Sequence, residues 1–138
     1  MATVSLSVAN ARVDGQKQDF GLEFLLTGAA STPDMVDVIV DAAMLYARGD
    51  EIYPGAVLPD LIRAGDLKHL FFISPFLWSG ALKSVKIGDR EVRFLQAVPI
   101  SDQEMAVVGT EGAEVLDALF ERAQIDIYDW ARDSVASL

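Results

Sequence analysis

Apolar and polar positions along the chain change period several times, and each change marks an element. Thr3–Val8 alternates as a strand does, and the polar stretch after it, with Asp14-Gly15 inside, predicts a turn. From Phe20 to Thr27 the alternation returns. Phe20, Leu22, Phe24 and Leu26 share one face, and Gly21, Glu23, Leu25 and Thr27 share the other. That pattern predicts a half-buried strand paired with the first. A helix follows: Thr32 is placed to cap it, Pro33 suits its first position, Asp34 favours the positive end of its dipole, and Gly49 stops it. On a helical wheel Asp34, Asp37, Asp41 and Arg48 fall in one narrow strip, and apolar side chains occupy nearly all the rest. So thin a polar strip predicts cover on more than the sheet side.

Asp50–Asp66 holds two turn-makers, Pro54-Gly55 and Pro59-Asp60, and little regular pattern, as a lid over a core would. Leu70–Ile73 is apolar on both faces, which predicts a central strand. Leu82–Ile87 and Glu91–Val98 flank Gly88-Asp89-Arg90, the arrangement of a hairpin, with Lys83, Lys86, Arg90 and Arg93 on an exposed strand face. Val92–Val98 reads as the middle strand of the sheet, broken at Pro99. Ser101 then starts a helix, and Glu104 three residues on completes a capping box. That helical turn runs to Val108, Gly109 interrupts it, and Thr110 caps a second helix to Ala123. Val115, Leu116, Leu119, Phe120 and Ala123 make one stripe of the second helix, and Glu111, Glu114, Asp117 and Glu121 make the opposite one. Ile125, Ile127, Tyr128 and Trp130 anchor a tail in which Asp126, Asp129 and Asp133 would share a face if it were helical, a place for a hard cation. The sum is one α+β domain over residues 1–138, a mixed, largely antiparallel β-sheet with helices packed against it.

Composition narrows the function more than the fold. Of the 138 residues, 51% are hydrophobic and 23% charged, the balance of a folded chain. There is no cysteine, so disulfide and thiolate chemistry are excluded. The first residues lack a basic region followed by an apolar core, so no signal peptide is expected. No apolar run reaches the ~20 residues of a membrane-spanning helix. A cytoplasmic protein is the expectation. The formal charge is −10, and it is uneven: residues 1–59 hold three basic and eight acidic side chains, residues 60–98 six and four, residues 99–138 two and nine. Such a surface repels a phosphate backbone and attracts a cationic protein. His69 is the only histidine, too little for a metal site, and is expected to pack in the core. No phosphate loop, dinucleotide fingerprint, zinc spacing or nucleophile elbow is present. No catalytic residue, metal or cofactor is assigned.

Several stretches, taken in order, resemble the suppressor of fused domain family. They are Thr3–Ser7 (TVSLS, with Leu6 where a glycine is usual), Gly21–Leu26 (GLEFLL), the helix Asp34–Asp50 and Tyr53-Pro54-Gly55. Phe94–Glu104 (FLQAVPISDQE) is similar to the family's strongest signature, and Thr110–Glu121 and Asp129–Ser134 (DWARDS) to its second helix and ending. Family domains carry more sequence ahead of the first strand, so a short or late-starting version is implied, with a sheet edge open for pairing. The resemblance implies binding rather than catalysis. The animal relative sequesters a transcription factor through an extended peptide, in a chain with a further lobe that this one has no room for. Stand-alone bacterial versions are encoded near polymorphic toxins and act as immunity proteins. The expectation is therefore a partner-binding surface made of Glu111, Glu114, Asp117 and Glu121, with Asp126 and Asp129 beside it, facing a basic protein. The alternatives are a small metal-assisted hydrolase that uses the aspartates, and a homodimer paired through an open edge strand.

Overall fold

The computed structural model describes residues 10–13, 16–28, 35–74 and 84–136. Among these, six strands form one sheet: β1 (Asn10–Val13), β2 (Gln16–Leu26), β3 (Val57–Leu58), β4 (Leu67–Ile73), β5 (Ser84–Ile87) and β6 (Arg90–Ser101). The helices are α1 (Met35–Ala47), α2 (Asp102–Glu111) and α3 (Ala113–Ala123). β6 is the axis. Residues 91–97 pair in parallel with residues 20–26 of β2, and on its other edge β5 and then β4 run antiparallel to it. β1–β2 and β3–β4 are antiparallel too, so the sheet is mixed and largely antiparallel as the sequence suggests. A parallel rung needs a long crossover, and α1 lies within the connection between β2 and β6.

Both faces of the sheet are covered. Leu22, Phe24 and Leu26 join Leu70, Phe72, Leu95 and Ala97 on the face that receives Val38, Ile39, Ala42 and Tyr46 of α1. The ring of Tyr46 meets that of Phe24 edge-on, 5.7 Å between centroids. Phe71, Ile73, Val98 and Ile100 point the other way and pack on Leu116 and Phe120 of α3 and on Ile127 of the tail. Alternate residues of β4 and β6 thus serve two cores, which explains why Leu70–Ile73 is apolar on both faces.

Several expectations change. The strand at Val92–Val98 does not break at Pro99 but runs to Ser101. The Pro99 carbonyl accepts from the Arg132 side chain at 2.9 Å rather than from the β4 ladder, at a point where β2 has already ended. A residue whose backbone faces that way has no ladder bond for its missing N–H to break. Gly109 does not interrupt α2, and Thr110 caps nothing. The hydroxyl of Thr110 donates back to the Ala106 carbonyl at 2.9 Å, one turn earlier, and the break falls at Gly112, whose φ of 102° favours glycine. Part of the polar run before Phe20 is strand: β1 and the start of β2 form a hairpin that backbone bonds hold. Thr3–Val8, Thr32, Pro33, Asp34 and Lys83 lie outside the described residues. Val36, Val40 and Met44 stand 56%, 47% and 65% exposed, so α1 is covered on its sheet side and not beyond it. Gly88 does occupy the positive φ, 64°, that the β5–β6 hairpin requires.

Candidate functional site

The amphipathic stripe of α3 settles its orientation. Leu116 and Phe120 are buried against the sheet, and Glu114, Asp117 and Glu121 face outward with Glu111 at the end of α2. Asp126 and Asp129 follow in the tail, also exposed. The tail is not a helix but a run of turns: an oxygen of Asp126 accepts from the Tyr128 N–H and one of Asp129 from the Ala131 N–H, each at 2.9 Å. Asp126, Asp129 and Asp133 therefore share no helical face, and among the described residues no group of three His, Asp or Glu converges to hold a metal. Among the described residues none of the six carboxylates predicted for the surface takes part in an ion pair.

The structure brings three of the six together. Glu114, Asp117 and Glu121 line a groove of about 640 Å³, with Phe71 and Ile73 of β4 and Phe120 also in its lining. Pro54 and Gly55 line it too, and Gly55 sits so close to α3 that a Cβ on it would lie 2.9 Å from the Cβ of Ala113. Burial first, and the nearby Glu121 carboxylate second, push the Asp117 carboxyl above its ordinary range. Asp126 lines a second depression of about 560 Å³ with Arg122, Arg132 and Asp133, while Glu111 and Asp129 belong to neither.

A buried clamp holds this surface on the sheet. Ser101 and Glu104 form the predicted capping box: the Ser101 N–H donates to Glu104 Oε1 at 2.9 Å, and the Glu104 N–H to Ser101 Oγ at 3.1 Å. The carboxylate of Glu104, wholly buried, does more. Arg132 donates Nη1–H to its Oε2 at 2.9 Å and Nη2–H to its Oε1 at 3.1 Å, and the Val135 N–H reaches Oε2 at 3.0 Å. Ser101 Oγ and Ser134 Oγ lie 2.7 Å apart. The capping box was legible in the sequence. Its partner Arg132, 28 positions away, was not, because nothing local announces a pair closed by the tail.

His69 is a core residue, as expected, and it too ties elements together. Its Nδ1 accepts from the Asp60 N–H at 2.9 Å, which leaves the ring proton on Nε2, 2.6 Å from an oxygen of Asp102. That hydrogen bond is the main reason the Asp102 carboxyl is held below the usual carboxylate range. A depressed carboxyl contributes stability above its unfolded pKa and loses that contribution as the pH falls through the folded value. Asp102→Asn is therefore expected to lower stability near neutrality and to flatten the acid limb of the stability-versus-pH profile, the variant and the parent converging below about pH 4, read by urea unfolding at stepped pH. An unchanged acid limb would remove Asp102 from that account.

Comparison with known proteins bears on the whole arrangement. The model for the family described as Suppressor of fused protein (SUFU) matches residues 1–133. The chain belongs to the suppressor of fused family. Solved structures agree on the fold. A suppressor of fused homologue from Neisseria gonorrhoeae FA 1090 superposes with a TM-score of 0.69 at 21% identity, over 85% of this chain and 64% of that one. Drosophila Suppressor of Fused gives 0.64 at 17% identity, over 97% of this chain and 38% of that one, and a chain of the Sufu–Fu complex gives 0.64 at 17%, over 97% and 68%. A curated relative, Immunity protein YqcF of Bacillus subtilis (strain 168), is 37% identical over 86 residues, which is 59% of this chain and 45% of that protein. The chain thus spans less than half the length of that relative. In suppressor of fused terms, the strongest signature, residues 94–104, and the closing stretch, residues 129–134, meet in the Glu104–Arg132 clamp.

Proposed function

We propose that the chain is a non-enzymatic, cytoplasmic protein-binding domain of the immunity type, which neutralises a cationic toxin by covering it. The observation that carries this reading is the outward face formed by the end of α2, by α3 and by the tail, where six exposed carboxylates have no ion-pair partner among the described residues. Like charges three and four apart on one helix repel by about 0.2–0.5 kcal/mol per pair, and a basic partner relieves that repulsion as it docks. The immunity role named for the Bacillus relative points the same way.

The test is capture of the protein encoded beside this chain's gene, with association followed at rising salt. The on-rate is expected to fall at least about tenfold from low to physiological ionic strength, as steering between opposite charges is screened. Glu114→Lys with Glu121→Lys is expected to weaken capture at least about tenfold, with the melting temperature unchanged or higher. Equal capture by the reversed protein would remove this surface from the account.

A further inference from the structure

We propose that the groove beside α3 is a docking slot for a short segment of a partner protein in which an apolar side chain lies next to a lysine or arginine. The inference rests on the capture role above and names what that surface would grip.

The groove holds two chemistries side by side. Glu114, Asp117 and Glu121 supply carboxylates, and the described residues that line it include no Lys, Arg or His to balance them. Phe71, Ile73 and Phe120 lie beneath it as a buried apolar floor, and exposed Pro54 with half-buried Ala113 and Ile125 supplies apolar surface within reach of a ligand. A polyanion is repelled by the first feature, and a small hydrated cation gains nothing from the second. A segment with both kinds of side chain uses both. Its volume, about 640 Å³, lies within the ~300–1,000 Å³ of sites that enclose a ligand. Asp117 is partly desolvated there and sits against Glu121, so an arriving cation meets a carboxylate whose charge the fold leaves uncompensated. The second depression differs on this point: Arg122 and Arg132 stand in its lining with Asp126 and Asp133.

The probes are three synthetic peptides of equal length, alternating Leu with Lys, Ser with Lys, and Leu with Gln. Their affinities are read by fluorescence anisotropy at physiological salt. The Leu–Lys peptide is expected to bind at least about tenfold more tightly than either of the others. Ser74 is exposed and lines the groove, so Ser74→Trp adds bulk at its mouth without changing charge. This variant is expected to bind the Leu–Lys peptide at least about tenfold more weakly at an unaltered melting temperature. Amide shifts induced by the peptide in the unmodified protein are expected to centre on Phe71, Ile73 and Ala113. No binding of the Leu–Lys peptide, equal binding of the Ser–Lys peptide, undiminished binding by Ser74→Trp, or shifts spread along the outer face of α3 alone would each overturn the slot. Those results leave the charge-reversal test above untouched, since that test requires only the carboxylates.

Discussion

Arg132→Ala is expected to destabilise the protein by about 3–5 kcal/mol, because it leaves the Glu104 carboxylate buried and without its countercharge. The side chain of Glu104 is 0% exposed and that of Arg132 8%, so water cannot take over the lost role. Against a total of about 5–15 kcal/mol for a typical domain, that is a severe loss. It corresponds to a fall of about 10–20 °C in melting temperature for a chain of this size. The paired change with Glu104→Ala separates ion pairing from capping. The double variant is expected to cost less than the two single losses added together, by at least about 1 kcal/mol, because removing both charges abolishes the unpaired-charge penalty and leaves the lost backbone bonds to Ser101 and Val135 and to the Pro99 and Asp133 carbonyls. Thermal and urea unfolding of the four proteins gives the cycle, and strict additivity would show that the two groups act independently.

The second large effect is expected at Gly55. Its φ of 98° is strained for any residue with a Cβ, and that Cβ would sit 2.9 Å from the Cβ of Ala113. Gly55 is also held in place, since its N–H donates to the Phe72 carbonyl at 2.7 Å and the Phe72 N–H donates to the Ala56 carbonyl at 3.0 Å. Gly55→Ala is expected to cost about 2–5 kcal/mol, roughly half from backbone strain and half from overlap. Ala113→Gly added to it recovers the overlap part and none of the strain, while costing up to about 1 kcal/mol as a helix glycine. A Gly55→Ala protein as stable as the parent would show that the loop is free to move off α3.

Both effects bear on what a sequence can disclose. The local signals at the capping box of Ser101 and Glu104 and at the turn of Gly88 held. The stripe of α3 held at Leu116 and Phe120 but not at Val115 and Ala123, which are exposed. All rest on near neighbours. Expectations failed where a distant contact decided the outcome. Pro99 stays in a strand because its carbonyl has Arg132 for a partner. Gly109 and Gly112 sit three apart with equal claims to end a helix, and only the backbone conformation, fixed by how α2 and α3 pack, chooses Gly112. The polar residues of β1 gave no apolar pattern to read, since a hairpin at the edge of a sheet is held by backbone bonds. The candidate surface shows the same division. Helical spacing placed Glu114, Asp117 and Glu121 on one face, whereas the apolar floor beneath them comes partly from β4, more than forty residues earlier.

The parallel rung between β2 and β6 also sets an order of events during synthesis. Gln96 bonds the Leu25 carbonyl across 71 positions, and the Trp130 ring N–H bonds that of Thr27 across 103. A chain emerging from the ribosome presents β2 with β1 beside it long before β6 exists, and the residues that tie the tail to the sheet, Trp130 and Arg132, come later still. Closure thus waits until residues well beyond β6 have been made, and a nascent chain that stops short of Arg132 lacks the countercharge for Glu104.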